Sequence, residues 1–140
     1  MAVTAGRHQV EVSATAGEGD MVGAALISAV REQVRRSSSM ELVSAGPRMV
    51  LTVLTLDPDR GAVDRDAGSK ATRTIYSVVV SFTTADGDRF LVDHTLGLCG
   101  SKRVDEVARN IIAELDHTLG NLDAAYERRQ QYKTPHAPPP

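Results

Sequence analysis

The sequence has no tryptophan, a single cysteine, and aromatic residues at only 4% of its 140 positions. Each shortage excludes something. Three tyrosines and two phenylalanines are too few for a platform on which single-stranded nucleic acid could stack its bases. One cysteine, Cys99, cannot form an intramolecular disulfide or an all-cysteine metal site. No apolar run approaches the roughly 20 residues that a membrane-spanning helix needs. The opening MAVTAGRHQVEV lacks the basic segment and apolar core of a secretory signal. The expected location is therefore cytoplasmic if Met1 is the native start, and periplasmic if a signal has been removed. A large charge of one sign is also missing. Sixteen Lys and Arg against eighteen Asp and Glu leave a net charge of −2, which removes the electrostatic case for nucleic acid.

Signature motifs are equally scarce. No GxSxG occurs, no HExxH, and no GxGxxG between a strand and a helix, so no cofactor is expected. The histidines His8, His94, His117 and His136 lack the spacing of a zinc site. In the segment 57–73, Asp57, Asp59, Asp64 and Asp66 miss the register of a calcium loop, and Arg60 and Arg65 lie among them. No metal is expected.

What remains suffices for one domain. Hydrophobic residues reach 41%, and a chain of this length buries about two-thirds of its unfolded surface without staples. Its core must rest on Val, Leu, Ile, Ala and Met. Val10, Val12 and Ala14 alternate over 8–15 and predict a strand. Asp20 is placed to cap a helix over 21–37, where Val22, Leu26, Ile27, Val30 and Val34 recur at spacings of three and four. A short strand over 40–44, a turn at Ala45-Gly46-Pro47 and an apolar strand over 48–56 follow. The segment 57–73 reads as a long polar loop.

Two alternating arms, 74–84 and 89–98, flank Asp86-Gly87, a strong hairpin signal. Tyr76, Val78, Val80 and Phe82 share one face of the first arm. Phe90, Val92, His94, Leu96 and Leu98 share one face of the second. Ser101 is the expected cap of a second helix whose stripe runs from Val104 through Val107, Ala108, Ile111, Ile112, Leu115 and Leu119 to Leu122. The expected fold is α+β in the order β-α-β-β-β-β-α, a largely antiparallel sheet of four to five strands with two helices on one face. The domain spans 1–126, and 127–140 reads as a flexible Pro-rich tail.

The sharpest local feature is the turn that opens the second helix. Gly100, Ser101, Lys102 and Arg103 combine free amides at a helix start with two cations, the chemistry that holds an anion. The same turn could simply be a strand-to-helix connection. Cys99 beside it would be reactive if the helix and Lys102 lowered its pKa, or else a small buried hydrophobe. A cysteine nucleophile needs a nearby base, and His94, at an odd separation, falls on the opposite face of an unbroken strand. His94 reads as a core or rim histidine.

The helix ending Arg35-Arg36-Ser37, the strand holding Leu42-Val43 and the strand Val50-Leu51-Thr52-Val53-Leu54 together resemble the N-terminal α/β domain of TolB and CsgG-like bacterial envelope proteins. That resemblance implies a non-catalytic domain that docks onto other envelope components. The chain departs from the pattern in lacking a visible signal or lipobox and in its long 57–73 loop. The expected function is therefore a protein-binding or assembly domain, with a protein partner or self-association. Two alternatives are a small phosphate-binding domain or enzyme built on the 97–103 turn, and a subunit of a virion or secretion machine.

Overall fold

The computed structural model describes residues 6–59 and 72–133. Seven elements follow in order: β1 (His8–Ala16), α1 (Met21–Arg36), β2 (Met40–Leu42), β3 (Arg48–Leu56), β4 (Arg73–Thr83), β5 (Arg89–Gly100) and α2 (Val104–Lys133). The strands form one mixed sheet in the order β2-β1-β3-β4-β5. The fold is α+β in the expected element order, and its two long ladders, β3–β4 and β4–β5, are antiparallel.

Its parallel part follows from α1. Asp20 caps that helix by accepting a 2.8 Å hydrogen bond from the Gly23 N–H, and Val22, Leu26, Ile27, Val30 and Val34 form the buried stripe. The helix returns the chain to the start of β1, so β2 runs parallel to it, His8 opposite Met40. Ala45-Gly46-Pro47 lies between β2 and β3 but does not pair them as a hairpin would, because the two strands lie on opposite sides of β1. β2 pairs with β1 up to Val10, and β3 pairs with it from Val10 onward. The chain therefore need not reverse; residues 43–47 carry it across β1 at that level. Gly46 supplies the left-handed backbone there, at φ +79°.

The Asp86-Gly87 hairpin joins β4 to β5 as expected, closed by Thr84 N–H to Asp88 C=O at 2.8 Å. One side of the sheet presents Val10, Met49, Leu51, Val53, Val78 and Val80, and both helices cover it in a single buried cluster. In α2, Val107, Ala108, Ile111, Ile112, Leu115 and Leu119 complete that cluster.

The expected end of α2 needs correction. The stripe was to close the core through Leu122, but Leu122 is 41% exposed and burial stops at Leu119. The helix nonetheless continues to Lys133, past the expected boundary at 126. Residues 120–132 are all exposed and extend about 20 Å beyond the core at 1.5 Å per residue. Ala, Glu, Arg and Gln favour helix without packing, so helix outlasts the apolar stripe. Within this stretch Asp123 Oδ2 lies 3.1 Å from His8 Nε2, at the start of β1. The rest of the expected tail, 134–140, lies outside the described residues, as does most of the 57–73 loop.

Candidate functional site

Three places could carry function: the turn after β5, a buried polar knot at the start of α1, and the side of the sheet that no helix covers.

At the turn, Cys99 is fully buried on the helix-covered side of β5, opposite Thr74 of β4. Its thiol donates to the Gly100 carbonyl at 3.4 Å. Burial pushes the thiol pKa up, with Arg103 acting weakly against that. It behaves as a small hydrophobe. His94 stands on the other side of the same strand, exposed, opposite Val79. Cys99 and His94 are thus held apart by the sheet, and His94 is not a core histidine.

Gly100, Ser101, Lys102 and Arg103 sit where the sequence placed them, but the helix begins at Val104. Ser101 is therefore not its cap. The Ser101 N–H donates to the Thr72 carbonyl at 2.8 Å, and the Arg103 N–H to the Gly100 carbonyl at 3.0 Å. Two amides that an anion would use are thus already donated, one to the residue before β4 and one within the turn. The Arg103 guanidinium grips Glu106 at 2.9 and 3.1 Å. That contact holds the Glu106 carboxyl below its usual range. Lys102 is exposed.

The buried knot went unseen in the sequence beyond its cap. Asp20 is 3% exposed and Thr74 fully buried. Asp20 accepts from the Gly23 N–H at 2.8 Å and from the Thr74 hydroxyl at 2.5 Å. A Cβ on Gly23 would overlap Thr55 Oγ1 and Asp20 Oδ2. The Asp20 carboxylate thus ties the start of α1 to β4, which is a structural device rather than an open site. A groove of about 340 Å³ between the end of α1 and α2 is similarly occupied with itself. Its Ser39 hydroxyl donates to Asp116 at 2.7 Å, and its Arg36 pairs with Glu32 at 3.0 Å.

The uncovered side of the sheet differs. Pairing sets Leu56 beside Ile75 and Ile75 beside Leu98; the next row is Leu54, Ser77 and Leu96. All five large apolar side chains are exposed, from 41% at Ile75 to 72% at Leu96. At the other end of this side, Arg48 Nε donates to Glu11 at 2.7 Å. The five residues expected to share one face of β5 are divided. Register shifts between Val80 and Ser81, so that Val92 has no partner in β4 and packs against the core. Leu96 and Leu98 keep to the bare side. Gly97 between them lies under the Tyr76 ring, which a Cβ would overlap.

The described residues form a two-layer α+β domain, a sheet with both helices on one side and a row of exposed apolar side chains on the other. Among the described residues no group of three or more His, Cys, Asp or Glu could hold a metal ion, and no helix is long and apolar enough to cross a membrane. No protein-family model matches the chain, and no curated protein matches it. Among solved structures it is similar to the rare lipoprotein B from Shewanella oneidensis. That likeness covers 81% of this chain and 98% of that one, at 14% identity and a TM-score of 0.37.

Proposed function

We propose that this chain is a non-catalytic association domain that docks onto a protein, another copy of itself or a different chain, through the uncovered side of its sheet. One observation carries the reading: Leu54, Leu56, Ile75, Leu96 and Leu98 line up across three strands with none of the described helices over them. Contiguous apolar surface on a folded domain marks an interaction site, whereas scattered exposed leucines do not. The resemblance to TolB and CsgG-like domains implies the same kind of role in the cell envelope. A subunit of a virion or secretion machine would use the same surface.

A photo-crosslinking residue at Leu54, introduced in cells, should give discrete adducts. The same residue at the exposed Glu41 on β2 should give none. Leu56→Asp should abolish the Leu54 adducts. Equal adducts at both positions, or none at either, would overturn the reading. Titration with inorganic phosphate separates it from anion binding at Gly100–Arg103. No heat is expected, and heat that disappears with Lys102→Ala would favour the anion site.

A further inference from the structure

The apolar rows run out to β5, and β5 is the edge of the sheet. Resting on the association role above, we infer that the chain self-associates at this edge through an antiparallel β5–β5 pair. Gly97 lies on the twofold axis, and Leu96 of each copy stands opposite Leu98 of the other.

The edge itself is the first support. Natural sheets guard their edges with bulges, charges and inward-pointing ionic side chains. β5 has all of these in its first half: Arg89, the register shift at Val92, and Asp93 on the helix-covered side. From His94 to Gly100 it has none. Those seven residues keep one register against β4 and include no Asp, Glu, Lys or Arg. The His94 N–H is taken by the Asp93 carboxylate at 2.8 Å, and among the described residues no strand pairs with the outward backbone groups from Thr95 to Gly100.

The second support is self-complementarity. A strand paired antiparallel with its own copy about a twofold axis meets each donor with an acceptor. Centring on Gly97 sets Thr95 against Cys99, His94 against Gly100 and Asp93 against Ser101, so no like charges meet. Sliding the centre to Asp93 would oppose that carboxylate to itself. A slip by one residue in one copy would set bare-side residues against covered ones.

The third is continuity. The row Leu56, Ile75, Leu98 of one copy runs on into Leu96, Ser77, Leu54 of the other, and the second row does the same in reverse. Leu96 and Leu98, 72% and 56% exposed in the single chain, gain apolar neighbours on the side where they have only water. The product is one ten-stranded sheet with an apolar band across its middle. Because only one short ladder is added, the association is weak and depends on concentration.

The test uses the purified full chain. Leu96→Cys and Leu98→Cys variants, mixed under mild oxidation, should yield several-fold more disulfide-linked dimer than either alone, since in each single variant the new cysteine faces a leucine. Cys99 is buried and does not compete. Sedimentation velocity of the unmodified chain should show its mean mass climbing from one chain toward two as concentration rises. Leu96→Lys, at a side chain already in water, should hold it at one with an unchanged circular dichroism spectrum. A monomer at every concentration overturns the inference, as does cross-linking no greater in the mixture than in the single variants. Adducts to another protein at Leu54, with a purified chain that stays monomeric, overturn the self-pairing and leave the docking surface standing.

Discussion

The bond between Thr74 and Asp20 is the most exacting place to test the packing described above. Thr74→Val replaces a hydroxyl with a methyl of nearly equal volume, so the substitution removes chemistry and leaves shape. The hydroxyl lies 2.5 Å from an Asp20 oxygen, and both residues are buried. Hydrogen bonds to a charged partner contribute about 1.5–3 kcal/mol, and a buried acceptor that loses its donor costs in the same range. Thr74→Val should therefore cost about 2 kcal/mol, a large part of a domain stability of about 5–15 kcal/mol.

Asp20→Ala also removes the helix cap, about 1 kcal/mol by itself. However, it frees the Thr74 hydroxyl to turn to the Leu56 carbonyl at 3.2 Å. The two changes share one bond, so the double variant should lose less than the sum, by about 1–2 kcal/mol. Urea denaturation of the four proteins, followed by circular dichroism with unchanged m-values, measures the cycle. A neutral Thr74→Val, or losses that add to within about 0.5 kcal/mol, would refute the bond as a structural link between α1 and β4.

Gly23→Ala should destabilise more than an ordinary helix-surface Gly→Ala, which usually stabilises, because its methyl collides with Thr55 and Asp20; thermal melting shows the sign. Cys99 should resist a thiol reagent in the folded protein and react only as denaturant unfolds it, given its burial and raised pKa. Rapid labelling of the native chain would contradict its placement. Truncation after Asp123 should lower helical content while leaving the melting temperature nearly unchanged, since residues 124–132 are all exposed. The Glu106 carboxyl has a lowered pKa in the fold, so its contact with Arg103 adds stability above the ordinary carboxylate pKa and loses it as pH falls through the lowered one. The contact is open to solvent, so the effect is small: Arg103→Ala should narrow the stability difference between neutral and acid pH only slightly, as read by denaturation at both.

Local order was written in local residues. The three-and-four spacing from Val22 to Val34, with Asp20 ahead of it, fixes α1. The alternation of 74–84 and 89–98 about Asp86-Gly87 fixes the hairpin, and the stripe from Val104 to Leu119 fixes where α2 packs. These signals act within one or two turns or one strand pair, so a sequence displays them directly. Three matters were decided only when the chain closed on itself. β1 took β2 and β3 on opposite sides because each pairs with a different part of its length, a choice of partners that no local pattern encodes. Both helices chose the side bearing Leu51, Val53 and Val80, leaving Leu54, Leu56, Leu96 and Leu98 in water. Alternation tells that a strand has two faces, but not which of two apolar faces will be covered. Finally, α2 outran its own stripe, because helix propensity continues where packing stops. Cys99 and His94, neighbours along the chain, were put on opposite sides of one strand by the period of two. That much the sequence already determined; that His94 would stand in water and Cys99 in the core was settled by where the helices lay.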